Sequence, residues 1–255
     1  MTICVIFNPA AGRRRARRRL ARFLAAYEKA ATFRPTEYAG HAVELARQAA
    51  EEGFATVAAA GGDGTAHDVA NGILRSGRDV AFAVVPIGSA NDYAYSVVRQ
   101  FGTNPLTDAT SHPVDVGVVR MPDGRERFFI ECVGLGLAGL VTIESRRIPY
   151  LQGVPLYGLA AWRALAKAPE PPEIELSFDG GPWERHPMLM LSLLLGRREG
   201  NFLLAPDAIL DDGLFEFAHA RRIGRWEALR LLPRLALAGP PRDHPEVRLG
   251  RCGSL

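Results

Sequence analysis

The sequence predicts an α/β domain followed by a mainly antiparallel β domain. Three observations carry this. Up to about Ser111, short apolar runs alternate with segments whose apolar residues recur at helical spacing. Three of those apolar runs end in glycine-bearing polar turns that lead straight into a helical segment. Beyond that point the alternation gives way to strand-like runs separated by turn residues. The predicted domains are therefore residues 1–113 and 114–255, with the boundary near Ser111 to Asp115.

The elements follow in order. Ile3 to Phe7 is a continuous apolar run stopped by Asn8-Pro9. Arg13 to Tyr27 reads as a helix, with Leu20, Phe23, Leu24 and Tyr27 on one face. Phe33 to Thr36 is a short strand. His41 to Glu52 is a helix ended by Gly53. Ala55 to Ala60 is a small-residue strand closed by Gly61-Gly62-Asp63-Gly64, and Thr65 is placed to cap a helix reaching Arg75. Val80 to Val85 is the next strand, ended by Pro86-Ile87-Gly88, and Ser89 or Asn91 can start a helix through Val98. Near-continuous apolar strands with short connections to helices predict a parallel sheet covered on both faces. In the second half, strands are expected at Val114 to Arg120, Arg127 to Val133, Ile174 to Phe178, Met188 to Leu195 and Leu214 to Ala220. Helices are expected at Tyr157 to Lys167 and Arg225 to Leu237. Met121-Pro122-Asp123-Gly124 is a hairpin signal.

Composition narrows the function classes. The chain has 255 residues, 47% hydrophobic and 23% charged, enough for a sizeable core and unlike a disordered chain. No apolar run approaches the roughly 20 residues that span a bilayer. The N-terminus opens into Ile3 to Phe7 with neither a basic region nor a cleavage site, so no signal peptide is expected. Three widely spaced cysteines, Cys4, Cys132 and Cys252, form neither a disulfide framework nor a zinc pattern and suit a reducing, cytoplasmic setting. Lys29 and Lys167 are the only lysines, and neither lies in a glycine-rich turn, which excludes a Walker A loop. The net charge of +3 argues against a dedicated nucleic-acid binder. Seven arginines lie between Arg13 and Arg22; read plainly they are a solvated helix face, and read functionally a surface for phosphates or an anionic membrane.

The three turns are Asn8-Pro9-Ala10-Ala11-Gly12, Gly61-Gly62-Asp63-Gly64-Thr65 and Pro86-Ile87-Gly88-Ser89-Ala90-Asn91-Asp92. In a parallel sheet they fall on the carboxyl edge, where open α/β folds bind ligands. Glycines allow close approach of backbone to phosphate, and helix N-termini supply N–H groups and a positive dipole end. Asn8, Thr65 and Ser89 can add hydrogen bonds. Asp63 would repel a phosphate and instead suits a magnesium ion beside the phosphate chain. Read singly, Asn8-Pro9 and Pro86-Ile87-Gly88 are ordinary turns; three such turns on one edge point to a nucleotide site.

Gly61-Gly62-Asp63-Gly64-Thr65-Ala66-His67-Asp68-Val69-Ala70-Asn71-Gly72 resembles the signature of the diacylglycerol kinase catalytic-domain family. This family spans bacterial lipid kinases and is related to sphingosine kinases. Asn8 to Gly12 and Pro86 to Asp92 resemble its first and third phosphate loops, with Ser89 where threonine is usual. Asp115-Val116-Gly117, Gly134-Leu135-Gly136, Ala205-Pro206-Asp207-Ala208 and Asp211-Asp212-Gly213-Leu214 resemble weaker landmarks. The departures are Asp68 for glutamate and Glu131 for asparagine.

The resemblance implies a three-layer nucleotide-binding domain like that of NAD kinases and diacylglycerol kinases, followed by an antiparallel β-sandwich. It implies transfer of the γ-phosphoryl group of ATP to a lipid hydroxyl, diacylglycerol or a related lipid, with Mg²⁺. By the same resemblance Asn8, Pro9, Ala10, Ala11, Gly12, Thr36, Gly61, Gly62, Asp63, Gly64, Thr65, Ala66, His67, Gly88, Ser89, Asn91 and Asp92 meet the nucleotide. Asp63 is then the catalytic acid at the nucleotide's Mg²⁺, and Asp212 holds a structural Mg²⁺ with the backbone carbonyls of Ile209 and Leu214. The lipid is expected in the cleft between domains, with peripheral contact to an anionic membrane through the Arg13 to Arg22 face and room for a homodimer. Family members continue into an Asp-Gly-Glu segment whose glutamate is assigned as base; the sequence ends at Leu255 without it. Two other readings therefore stand beside the lipid kinase: an NAD kinase-like enzyme, which shares only the Gly-Gly-Asp-Gly loop, and a catalytically impaired nucleotide- or lipid-binding homologue.

Overall fold

A computed structural model of the chain describes residues 2–9, 14–102 and 110–255. It divides into two compact units, residues 1–130 and 131–255. The first unit opens with strand β1 (Ile3–Phe7), helix α1 (Arg14–Tyr27), β2 (Thr32–Pro35), α2 (His41–Glu51), β3 (Thr56–Gly61), α3 (Asp63–Ser76), β4 (Ala81–Pro86) and α4 (Asp92–Phe101). The four strands are parallel, in the order β2-β1-β3-β4.

Residues of period two sort the core into layers. Cys4, Ile6, Val57 and Ala59 point to one face, against Ala42, Ala46 and Ala49 of α2 and Val69, Ala70 and Ile73 of α3. Val5, Ala58, Ala60 and Ala83 point to the other, against Leu20, Phe23 and Leu24 of α1. Strands buried on both faces need apolar residues at every position, and the runs Ile3 to Phe7 and Val57 to Ala60 supply them. Alanines dominate the α2–α3 side and let those helices approach closely. At Gly72 of α3 a Cβ would stand 2.3 Å from the Val43 carbonyl oxygen of α2.

A hairpin, β5 (Gly117–Arg120) and β6 (Glu126–Phe129), completes the first unit. Asn71 of α3, 3% exposed, donates from Nδ2 to the Phe128 carbonyl at 3.0 Å and so ties the hairpin to the helix. Gly117 makes room for the Phe129 ring, which a Cβ would overlap. The division between units falls at Ile130/Glu131 rather than near residue 113. The stretch expected to be one strand from Arg127 to Val133 is two, β6 and β7 (Cys132–Gly136), and the break between them is the unit boundary.

The second unit continues with α5 (Leu137–Arg146), α6 (Val154–Lys167), β8 (Glu173–Leu176), β9 (Glu184–Pro187), β10 (Met190–Leu194), β11 (Phe215–Ala220), α7 (Arg225–Leu237) and β12 (Val247–Cys252). Its strands form an antiparallel sheet, β12-β11-β10-β7, and a separate β8–β9 hairpin. Helix α5 is absent from the sequence reading, because Val141-Thr142-Ile143 carries β-branched residues that favour strands. Packing overrides that preference: Val141 joins Ile148, Leu156 and Ala160 in a small core shared with α6. The buried Glu144 carboxylate of α5 accepts from Lys167 Nζ of α6 and from Arg147, both at 2.8 Å. Helix α7 lays Leu232, Leu235 and Ala236 on a core of Leu194, Phe202, Leu204 and Ala208.

Candidate nucleotide-phosphate site

Parallel pairing puts the ends of β1, β3 and β4 on one edge. Phe7 lies opposite Ala60, and Gly61 opposite Pro86. The strand order reverses between β1 and β3, which is where open α/β sheets hold ligands. Asn8 and Pro9 follow β1 on this edge. Thr36 joins them, its N–H donating to the Phe7 carbonyl at 2.9 Å. Ala10, Ala11 and Gly12 lie outside the described residues.

The loops after β3 and β4 are built as one piece. The Gly61 carbonyl accepts the N–H groups of both Ile87 (2.8 Å) and Gly88 (3.0 Å). A Cβ on Gly88 would stand 2.3 Å from the Gly62 Cα, so the two glycines meet backbone to backbone. A Cβ on Gly61 would strike the Thr65 hydroxyl at 2.4 Å. Asp63 then crosses between the loops. Its Oδ2 accepts the Asn91 N–H at 2.8 Å and its Oδ1 the Asp92 N–H at 2.7 Å.

These bonds change the capping expected from the sequence. Helix α3 begins at Asp63, so Thr65 lies inside its first turn and is not its cap. Asn91 holds the N-cap position of α4 at φ 56°, in the left-handed region, and its own side chain does not cap the helix. The cap is Asp63, from another loop. One carboxylate thus sits at the positive ends of two helix dipoles, in the first turn of α3 and on the leading N–H groups of α4. Asn91 Nδ2 donates to the Gly88 carbonyl at 3.0 Å, while its Oδ1 is buried with no hydrogen-bond partner among the described residues.

Two observations test whether these residues suit a nucleotide and its metal. Gly64 is exposed in the first turn of α3, and a Cβ there would meet nothing within 4 Å. Unlike Gly61 and Gly88, it leaves a cradle open above the helix N-terminus. The N–H groups of Gly64 and Thr65 precede the first i→i−4 bond, which Ala66 makes to Gly62 at 3.0 Å. This arrangement fits a phosphate. Each Asp63 oxygen accepts a backbone N–H and keeps lone-pair capacity, which fits magnesium held through water better than direct ligation.

The remaining motif residues divide. Ala66 is 1% exposed, faces the sheet core and bonds its N–H within the helix, so it presents no group to a ligand. Asp92 is buried and meets Asp63 through its backbone. His67 is half-buried, and burial holds its imidazole below the usual range against the opposing charge of Asp68. Burial likewise raises the Asp68 carboxyl.

The turn at Asp212 in the second unit does not suit magnesium. Asp212 Oδ1 accepts the Leu214 N–H at 3.1 Å, and Oδ2 takes the Arg251 guanidinium. Arg251 Nε also reaches Glu216 Oε1 at 2.9 Å. A guanidinium already supplies the positive charge at this turn. Sequence reasoning missed Arg251 because its partner is set by register: it lies opposite Glu216 in the β11–β12 pair. It also missed Glu199. That carboxyl lies against Gly134 and accepts from the Ser192 hydroxyl at 2.5 Å; burial raises it above the ordinary range.

Fold and site together define a two-unit protein whose α/β unit carries an open helix N-terminus on the carboxyl edge of its parallel sheet. Residues 2–119 match the family model for the diacylglycerol kinase catalytic domain. The matched residues lie within the first unit of the chain. The chain is 29% identical over 244 residues to the diacylglycerol kinase of Bacillus subtilis (strain 168), covering 92% of this chain and 78% of that one. It is 27% identical over 249 residues to that of Staphylococcus carnosus (strain TM300), covering 95% and 80%. Among solved structures, it is similar in fold to a crystal structure of a diacylglycerol kinase from Bacillus anthracis str. Sterne. The TM-score is 0.68 at 16% identity, over 98% of this chain and 83% of that one. Among the described residues no helix is long and apolar enough to cross a membrane.

Proposed function

We propose that the chain transfers the γ-phosphoryl group of ATP to the hydroxyl of diacylglycerol or a related lipid. The observation that carries this reading is the fused junction of the β3 and β4 loops, with its open cradle at Gly64. Backbone N–H groups at the start of α3 would take the phosphates, and Ser89 lies on the same loop junction. Asp63 fixes both loops and would stand beside the phosphates. Magnesium arriving with the nucleotide would neutralise charge as it develops on the transferring group. Phosphoryl transfer depends mainly on such positioning, so a rigid loop junction is the part the protein must supply. That the curated relatives are named diacylglycerol kinases supports the acceptor class. The Pro-x-Gly-Ser-x-Asn-Asp loop favours this reading over an NAD kinase.

The test is transfer of radiolabel from γ-labelled Mg-ATP to diacylglycerol, a sphingoid base and NAD, offered separately. Labelled lipid phosphate is expected. Phosphorylated NAD as the only product would overturn the choice of acceptor. Tight ATP binding with no turnover on any lipid would leave a binding protein in place of an enzyme.

A further inference from the structure

Helix α7 has one face committed to the core and another with no partner among the described residues. Along its length Trp226, Arg230, Pro233, Arg234 and Leu237 are exposed. Their spacing of four, three, one and three residues puts them on one side of a helix. Trp226 is 77% and Leu237 82% exposed, the two most exposed large apolar side chains among the described residues. Arg230 and Arg234 make no ion pair there, whereas Glu227, the helix's acid, is engaged by His244 Nε2 at 3.2 Å. Aromatic and aliphatic residues at the two ends of a stripe, with free arginines between, match the boundary of an anionic bilayer. There the apolar side chains sink below the headgroups and guanidinium groups meet phosphates.

We propose that the outer face of α7 seats the protein on an anionic bilayer. The proposal rests on the lipid-kinase reading, since an acceptor confined to a membrane requires such a surface. It differs from the expectation that the arginine-rich α1 makes this contact. The described side chains of α1 offer Arg17, Arg18, Arg19 and Arg22 but no exposed large apolar residue. Charge alone gives a weak, fully salt-screened attachment; α7 couples charge to apolar insertion.

The test is flotation with neutral phosphatidylcholine vesicles and with vesicles containing phosphatidylglycerol. Three variants accompany the wild type: Trp226→Ala with Leu237→Ala, Arg230→Glu with Arg234→Glu, and the four α1 arginines changed to glutamate. All these side chains are exposed, so the variants should fold. The wild type should bind the anionic vesicles, and each α7 double variant should lose roughly tenfold or more in vesicle affinity. The apolar variant should keep a steep salt dependence that the charge variant lacks. Turnover of a short-chain acceptor dispersed in detergent should be unchanged in both. Vesicle binding unaltered in the α7 variants, or lost only in the α1 variant, would overturn the proposal. So would light scattering that shows the α7 variants to dissociate a dimer without any change in vesicle binding. If the wild type phosphorylates no lipid even in detergent, the functional reading fails, and flotation still decides the surface.

Discussion

Replacing Asp63 by alanine removes two charge-assisted bonds at once, those from the Asn91 and Asp92 N–H groups at 2.8 and 2.7 Å. It also removes a side-chain cap from α4, whose own N-cap residue supplies none. A hydrogen bond to a charged group contributes about 1.5–3 kcal/mol, and loss of a helix cap costs about 0.5–2 kcal/mol. These figures overlap, because the bonds are the cap. Asp63 is also half-buried, so water can reach the N–H groups it leaves. The expected cost is therefore about 2 kcal/mol, roughly a thirtyfold change in an equilibrium constant. Asp63→Asn keeps an acceptor oxygen but loses the charge, and should cost about half as much. Hydrogen exchange is the sharpest assay, because the loss should appear first at the amides of α4. Exchange there should accelerate by more than tenfold while the amides of α2 change little. The urea midpoint of the first unit should fall as well. Both variants should lose Mg-ATP-dependent turnover by orders of magnitude. Unchanged α4 protection in the alanine variant would refute the capping role, and unchanged turnover would remove Asp63 from the mechanism.

Gly64→Ala and Gly88→Ala should part company: the first places its Cβ in open space and should stabilise the helix by about 0.5–1 kcal/mol while weakening nucleotide binding. The second drives a Cβ to 2.3 Å from Gly62 Cα and should destabilise the unit by about 1–3 kcal/mol, both effects being readable by calorimetry and nucleotide titration. Arg251→Met should lower the melting temperature by leaving Asp212 and Glu216 without their counter-charge. The wild-type melt should not respond to chelator or magnesium; a chelator-sensitive wild-type melt would restore the metal to the Asp212 turn. Burial raises the Glu199 carboxyl and Ser192 only partly opposes it, so the fold favours the neutral form. Stability from this group is present at low pH and is lost as pH rises from the ordinary value of 4.5 towards the raised one; Glu199→Gln should flatten that dependence in urea midpoints taken across the range.

The first unit was largely legible because its signals are local. The run Ile3 to Phe7 needs no partner to read as a buried strand, and the glycine-bearing segments after β3 and β4 announce the helices that follow. What was not legible depends on contacts far apart in sequence. Asp63 caps a helix that starts 29 residues later, and no spacing rule for capping reaches across a strand. Arg251 opposes Glu216 only once β11 and β12 are in register. Helix α5 forms against its own β-branched residues because α6 gives it a core. The first compact unit runs to Ile130 because Asn71 ties the β5–β6 hairpin to the α/β unit, a contact that an antiparallel hairpin does not announce in sequence.

The glycines of the site show the same division within a single motif. Read from sequence, Gly61, Gly62, Gly64 and Gly88 all serve the close approach of a phosphate. Packing assigns three of them to the protein itself: Gly61 yields to the Thr65 side chain, and Gly62 and Gly88 touch each other. Gly64 alone faces open space, so it alone lacks a structural reason to be glycine. A loop junction that rigid would be needed even if the cradle bound nothing, but the open position at Gly64 would not. The case for a ligand at this edge therefore rests on that one residue and the helix N-terminus beneath it, more than on the number of glycines in the motif.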